Sequence, residues 1–138
     1  MIHKEHYRDF IGTLSVKIEE IDAETNKLDL SDSAEWLEYD SLRNTLECYE
    51  TAQKYFSDPC RWANFDNISS LESYVDSIIN CFKSMDKHSE SMSPVWGLGL
   101  IGATQEEWEV FESMRYEFSK KLTSWKLFLE FCKTGKIE

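Results

Sequence analysis

Apolar residues recur at intervals of three and four in four long segments of this chain. Such spacing places them on one face of an α-helix. It predicts helices over residues 3–22, 32–56, 69–85 and 104–134, each with its apolar face turned to a common core. The predicted core faces are Tyr7, Phe10, Ile11, Leu14, Ile18 and Ile21 in the first helix, Tyr39, Leu42, Leu46, Tyr49, Gln53 and Phe56 in the second, Leu71, Val75, Ile78, Phe82 and Met85 in the third, and Trp108, Phe111, Met114, Phe118, Leu122, Trp125, Leu129 and Cys132 in the fourth.

Local signals mark some of the helix ends. Ser69 followed by Glu72, and Thr104 followed by Glu107, match the capping box, in which each side chain bonds to a free backbone N–H of the other residue. Gly135 follows the last apolar residue of the fourth helix, and glycine is the residue that most often ends a helix. These signals predict that the third helix begins at residue 69 and that the fourth ends before residue 135.

The segments between the helices contain both prolines, Pro59 and Pro94, and no segment shows the alternation typical of strands. The expected fold is all-α. It is a single domain over residues 1–138, built as an antiparallel four-helix bundle or a close relative. Two connecting loops are long, at residues 57–68 and 87–103. The first contains aromatic residues and is predicted to pack on the bundle.

Negative charge is concentrated in one stretch of the chain. Residues 19–50 contain eleven acidic and two basic side chains, so they carry −9 of the net charge of −11. Such a concentration favours a cationic protein partner, because complementary potentials speed encounter and reject wrong partners. It argues against binding to nucleic acid or to an anionic membrane. No apolar run approaches the ~20 residues that span a bilayer, and the first residues lack a secretion signal, so a cytoplasmic protein is expected.

A glycine-rich segment resembles a nucleotide-binding motif. Residues 97–102, with the sequence GLGLIG, match the G-x-G-x-x-G fingerprint. The fingerprint requires a preceding strand and a helix N-terminus that attracts phosphate. Here Pro94 interrupts the preceding residues, and the following helix opens with Glu106, Glu107 and Glu109. We interpret the glycines as a tight apolar connection and predict no cofactor.

Residue types of catalytic and metal sites are present without the spacing that such sites need. His3 and His6 share a helix face and have Glu5 and Asp9 nearby, but the first helical turn frays and nothing else is committed to a site, so no metal site is predicted. His88 lies in a predicted polar loop, and no G-x-S-x-G elbow occurs, so we predict no catalytic residue and no enzymatic activity. All four cysteines are predicted to be reduced structural thiols: Cys48, Cys60, Cys81 and Cys132. Cys48, Cys81 and Cys132 fall within predicted helices, where a reduced cysteine acts as a small apolar residue.

A charged stripe follows the second helix beside its apolar face. Steps of four, four, three, four and three residues keep its members on one line: Asp32, Trp36, Asp40, Arg43, Glu47 and Glu50. A tryptophan among carboxylates is typical of an interface anchor, so the five members other than Arg43 are the predicted partner-binding residues. In the alternative interpretation, Trp36 folds back over residues 57–68 and the acids only solvate the helix.

Together these features favour a small acidic protein that binds and neutralises a basic protein. Bacterial immunity proteins and antitoxins that block nuclease toxins are of this physical kind, an analogy of charge and fold class that rests on no motif. Two alternatives belong to other functional settings. One is a phage-encoded inhibitor that mimics nucleic acid to block a host defence complex. The other is a helical adaptor subunit without inhibitory action.

Overall fold

The computed structural model of the protein describes residues 1–92 and 104–137, with side chains for residues 1–89 and 104–137. These residues are almost entirely helical, which confirms the predicted all-α class. Within them there is no β-strand, although one isolated antiparallel bridge joins Ile2 to Phe65. The helices are α1 (Lys4–Asn26), α2 (Ser33–Phe56), α3 (Ile68–Met92) and α4 (Gln105–Thr134), with a short 3₁₀ turn at Pro59–Arg61.

Helix α1 packs antiparallel to α2, and α3 packs antiparallel to α4. In both pairs, residue numbers rise along one helix as they fall along the other. The contacting residues are Gln53 with Ser15 and Phe56 with Tyr7 in the first pair, and Glu72 with Lys133 and Asp86 with Arg115 in the second.

Between these pairs, α2 packs against α4 in the same direction. Tyr55 and Phe56 near the end of α2 contact Trp125, while Glu47 lies beside a groove that Met114 also lines. Among the described residues, the extensive helix contacts therefore follow the order α1, α2, α4, α3, and α4 also touches α1. This arrangement is compatible with a four-helix bundle.

Aromatic rings fill the centre of the core. Tyr7 stacks on Phe128 with 4.3 Å between ring centroids, and Phe56 meets Trp125 edge-on at 5.0 Å. Phe10 packs edge-on against both phenylalanines, and all five side chains are at most 1% exposed. Burial of each such ring stabilises the fold by roughly 1.5–3 kcal/mol. This cluster fixes the C-terminal half of α2 against α1 and α4.

The loop that follows α2 packs on this core, as predicted. Trp62 stacks on Tyr7 with 5.4 Å between centroids, and its indole N–H donates to the carbonyl of Phe56 at 2.9 Å. The Tyr7 hydroxyl donates to the carbonyl of Ala63 and accepts from the Ala63 N–H at 3.1 Å. Burial is the main cause that raises the pKa of this phenol. One buried tyrosine therefore satisfies both backbone groups of a loop residue.

Two predicted core assignments in α4 are wrong. Met114, predicted to be buried, is 59% exposed, and Phe128, absent from the predicted face, is fully buried. Phe128 is buried because α4 packs against α2 and α3 at once, so the buried surface of α4 is wider than a single stripe. The predicted faces of α1 and α3 are buried or partly buried throughout their described positions.

Both ends of α3 differ from the predicted ends. The helix begins at Ile68, and the side-chain oxygen of Asn67 accepts from the N–H of Ser70 at 2.9 Å. Asn67 thus provides the cap, and the predicted capping box at Ser69 is wrong. The helix continues to Met92, so residues 87–92 are not part of a loop. His88 accordingly lies on α3, and its ring packs edge-on against Phe111 at 5.4 Å.

The ends predicted for α4 are confirmed. The hydroxyl of Thr104 accepts from the N–H of Glu107 at 3.1 Å, which satisfies one of the free donors of the first turn. Gly135 closes the helix with φ of 74°, a left-handed conformation that favours glycine.

Candidate functional site

The predicted partner-binding stripe lies on a helix whose first half has no buried residue. From Ser33 to Thr45 every side chain is exposed or half-buried, and the first buried one is Leu46. At 1.5 Å per residue, the stripe from Asp32 to Glu50 is about 27 Å long. The structure therefore places the predicted residues along one open helical surface, which we call the acidic face.

Trp36 is the largest apolar side chain on the acidic face. It is 49% exposed and stacks on Tyr39 with 5.5 Å between centroids. Its neighbour Leu37 is 70% exposed. The loop of residues 57–67 packs instead at the opposite end of α2, on Tyr7 and Phe56. The interpretation that Trp36 covers this loop is therefore wrong.

Three acidic residues near the start of α2 have structural roles. Asp32 accepts from the N–H of Ala34 at 2.8 Å and so caps α2. Asp29 accepts from the hydroxyl and the N–H of Ser31, and these hydrogen bonds lower the pKa of its carboxyl. Glu35 accepts from the N–H of Asp29 at 2.8 Å. Asp32 is thus explained as a cap, which weakens the case for it as a partner contact.

The other predicted carboxylates have no such role. Asp40, Glu47 and Glu50 are exposed, and so is Arg43. None of the ion pairs formed by the described residues includes a carboxylate of α2. Because these groups stay hydrated and unpaired, they can bind an incoming Lys or Arg without first breaking an internal bond.

Charged residues of α3 and α4 behave differently. Arg115 bonds to Asp86 at 2.8 Å and to Glu112 at 3.1 Å, and its guanidinium also donates to the hydroxyl of Ser89, a buried residue. Burial acts to lower the pKa of Arg115, but hydrogen bonds and charges from Glu112 and Asp86 outweigh it and raise that pKa. This cluster joins the two helices and has a structural explanation.

A groove that the sequence did not predict lies between α2 and α4. Its volume is about 910 Å³. Glu47 and Glu50 line it from α2, so it continues the acidic face toward the C-terminal end of that helix. Its cations are Lys54, Arg61, Lys120 and Lys121, and its aromatic side chains are Tyr55, Tyr116 and Phe118. The exposure of Met114 is explained by its place in this groove. Lys120 and Lys121 lie beside the predicted core face of α4, but nothing in the sequence indicated that α2 packs next to them.

Three of the groove cations interact with aromatic rings, and the longest of these contacts is that of the Lys121 ammonium, 5.7 Å from the ring centroid of Phe118. The guanidinium of Arg61 lies 4.4 Å from the ring centroid of Tyr55, and the ammonium of Lys120 lies 4.4 Å from that of Tyr116. Lys120 also pairs with Glu117 at 3.1 Å. No ion pair of the described residues includes Lys54, Arg61 or Lys121. The groove therefore holds charges of both signs that form no ion pair among the described residues.

The other sites considered in the sequence are the histidine pair near the N-terminus and the glycine motif. His6 accepts from the N–H of His3 at 3.2 Å and so contributes to the start of α1. Among the described side chains, no group of three or more metal-ligand residues comes together. The glycine motif at residues 97–102 lies outside the described residues.

The cysteines differ from prediction in their burial. All four thiols are free, but Cys48 and Cys81 are exposed rather than part of the core. Cys132 is half-buried, and burial raises the pKa of its thiol to about 11.

Comparison with known proteins identifies no relative. No family model, no curated protein and no solved structure matches this chain.

Among the described helices, none combines the length and apolar character that a membrane-crossing segment requires.

Proposed function

We propose that this protein is a small acidic binding protein that neutralises a basic protein partner, in the manner of an immunity protein or antitoxin that blocks a bacterial nuclease toxin. We further propose that it acts in the cytoplasm, has no catalytic activity and binds neither nucleic acid nor a membrane. The observation that carries the proposal is the acidic face, where a half-exposed tryptophan stacked on Tyr39 lies among carboxylates that form no ion pair with any described residue.

Binding would begin with electrostatic steering. The charge on residues 19–50 attracts a cationic surface at long range and raises the association rate, an effect that salt screens. Trp36 would then insert into a pocket of the partner. Tyr39 supports its ring, so little side-chain freedom is lost when the complex forms. Asp40, Glu47 and Glu50 would pair with Lys or Arg of the partner, and Asp32 would contribute chiefly as the cap of α2.

The test compares what the protein and two variants capture from a lysate of the cell that encodes it. Partners enriched by the wild-type protein are purified, their binding to each variant is compared with their binding to the wild type, and their nuclease activity is measured with and without the protein. We expect a basic partner whose activity the protein suppresses. Asp40→Lys should slow association and weaken its salt dependence, while Trp36→Ala should mainly raise the dissociation rate and cost about 2 kcal/mol of binding energy.

Other outcomes point to the alternatives. A nucleic-acid-binding defence complex that the protein displaces from nucleic acid would support mimicry. A partner whose activity is unchanged would support an adaptor subunit. If both variants bind a purified partner as tightly as wild type, the acidic face is a solvated surface and the proposal fails.

A further inference from the structure

The groove between α2 and α4 has opposite charges at its two ends. On α2, Glu47 and Glu50 come first and Lys54 follows seven residues after Glu47. On α4, Met114 comes first and Lys121 follows, also after seven residues. Because the two helices run in the same direction, Glu47, Glu50 and Met114 lie toward one end of the groove, and Lys54 and Lys121 lie toward the other. The carboxylate of Glu117, which lines the groove between them, is paired with Lys120. Seven residues correspond to two helical turns, about 10 Å.

The apolar side chains of the groove lie close to the charged ones. Met114 is 59% exposed and Tyr116 is 56% exposed, while Phe118 is half-buried. An exposed methionine is common on binding surfaces, because its flexible thioether adapts to many apolar shapes. A ligand that fills this groove therefore has to offer an apolar side chain as well as charges.

We propose that this groove binds an amphipathic helix of the protein partner. Its basic residue at position i faces Glu47 and Glu50, and its acidic residue at position i+7 faces Lys54 and Lys121. An apolar residue at i+3 or i+4 packs on Met114. The inference rests on the proposed function, since it takes the ligand to be a protein, and it adds that the bound segment carries both signs of charge.

Charge complementarity favours a helix that carries both signs of charge over other ligands of the groove. A uniformly basic segment would be repelled by Lys54, Arg61 and Lys121, which have no carboxylate partner among the described residues. The segment of this chain at residues 93–103 contains no charged residue, so it matches neither end of the groove. A helix suits the site because two of its turns match the distance between the charged ends.

The experiment selects helical peptides from a display library on the immobilised wild-type protein. Peptides of about 18 residues allow several helical turns. We expect enriched sequences in which a basic and an acidic residue are seven positions apart with an apolar residue between them. Met114→Lys should abolish their binding. The matched control is Val110→Lys, one turn earlier on α4, at a residue that is 61% exposed and does not line the groove.

A second variant tests the direction of the charges. Lys54→Glu combined with Lys121→Glu should weaken an enriched peptide by about tenfold and should tighten a version in which its acidic residue becomes Lys. Melting temperatures of all variants are measured alongside, and we expect them to stay close to that of the wild type because the altered side chains are not buried.

Several results would overturn the inference. One is that no peptide is enriched over a bead-only control, and another is that binding survives Met114→Lys. Enrichment of uniformly basic peptides that require Trp36 and tolerate Met114→Lys would also overturn it, while supporting the acidic face as the binding surface. Self-association of the protein that Met114→Lys abolishes, seen by analytical ultracentrifugation, would assign the groove to a second copy of the chain.

Discussion

The two halves of α2 differ in what they contact. The first half, Ser33–Thr45, buries no side chain and carries carboxylates that no ion pair of the described residues uses. The second half buries Leu46, Tyr49, Ala52 and Phe56. One continuous helix therefore serves as core at one end and as an exposed surface at the other. The difference shows how a small fold can present charge rigidly, because packing of the second half holds the first half in place.

The location of the charge follows from solvation. A carboxylate that leaves water without a partner costs several kcal/mol, whereas like charges in water are weakened by the dielectric and by salt. Unpaired acids are therefore tolerated on the first half of α2, and would not be tolerated among Phe56, Trp125 and Phe128.

The largest expected effect separates two aromatic residues of α2, Phe56 and Trp36. Phe56→Ala should lower the free energy of unfolding by about 3–5 kcal/mol, because it removes a fully buried ring from the aromatic core. Trp36→Ala should lower it by less than about 1 kcal/mol, since its ring is half exposed. Urea unfolding followed by circular dichroism measures both. Comparable losses would show that Trp36 belongs to the core.

A smaller effect tests how the loop after α2 is held. Tyr7→Phe should destabilise the protein by about 1–3 kcal/mol, because both the N–H and the carbonyl of Ala63 lose their partner. Tyr116→Phe is the matched control, on a side chain that is 56% exposed, and should change stability by no more than about 0.5 kcal/mol. If the two variants unfold alike, the loop is not fixed through the Tyr7 hydroxyl.

The smallest effect distinguishes carboxylates within the acidic face. Asp32→Ala should cost about 1 kcal/mol, because the N–H of Ala34 loses its cap. Asp40→Ala should change stability by a few tenths of a kcal/mol at most, and should be slightly stabilising at low salt because it removes one of several like charges. Thermal melts at low and high salt measure both. A cost for Asp40→Ala as large as that for Asp32→Ala would mean that Asp40 has a structural partner.

The sequence was sufficient for the local features of the candidate site. The intervals between Asp32, Trp36, Asp40, Glu47 and Glu50 place them on one line whatever surrounds the helix. It did not predict that Asp32 caps α2, although Asp is a common capping residue. The groove was missed for another reason. Lys54 and Lys121 lie on helices that are far apart in the chain, and only packing brings them to one site.

What the sequence by itself determined is the helical class, the apolar faces of α1 and α3 and the position of the charge, because these depend on periodicity and composition. The tertiary structure alone decided that α2 and α4 pack in the same direction, that Phe128 is buried while Met114 is exposed, and that a groove of mixed charge adjoins the acidic face. The physical reason is that a helix buries whatever surface its neighbours cover. The number and placement of those neighbours are not encoded in the periodicity of any one segment.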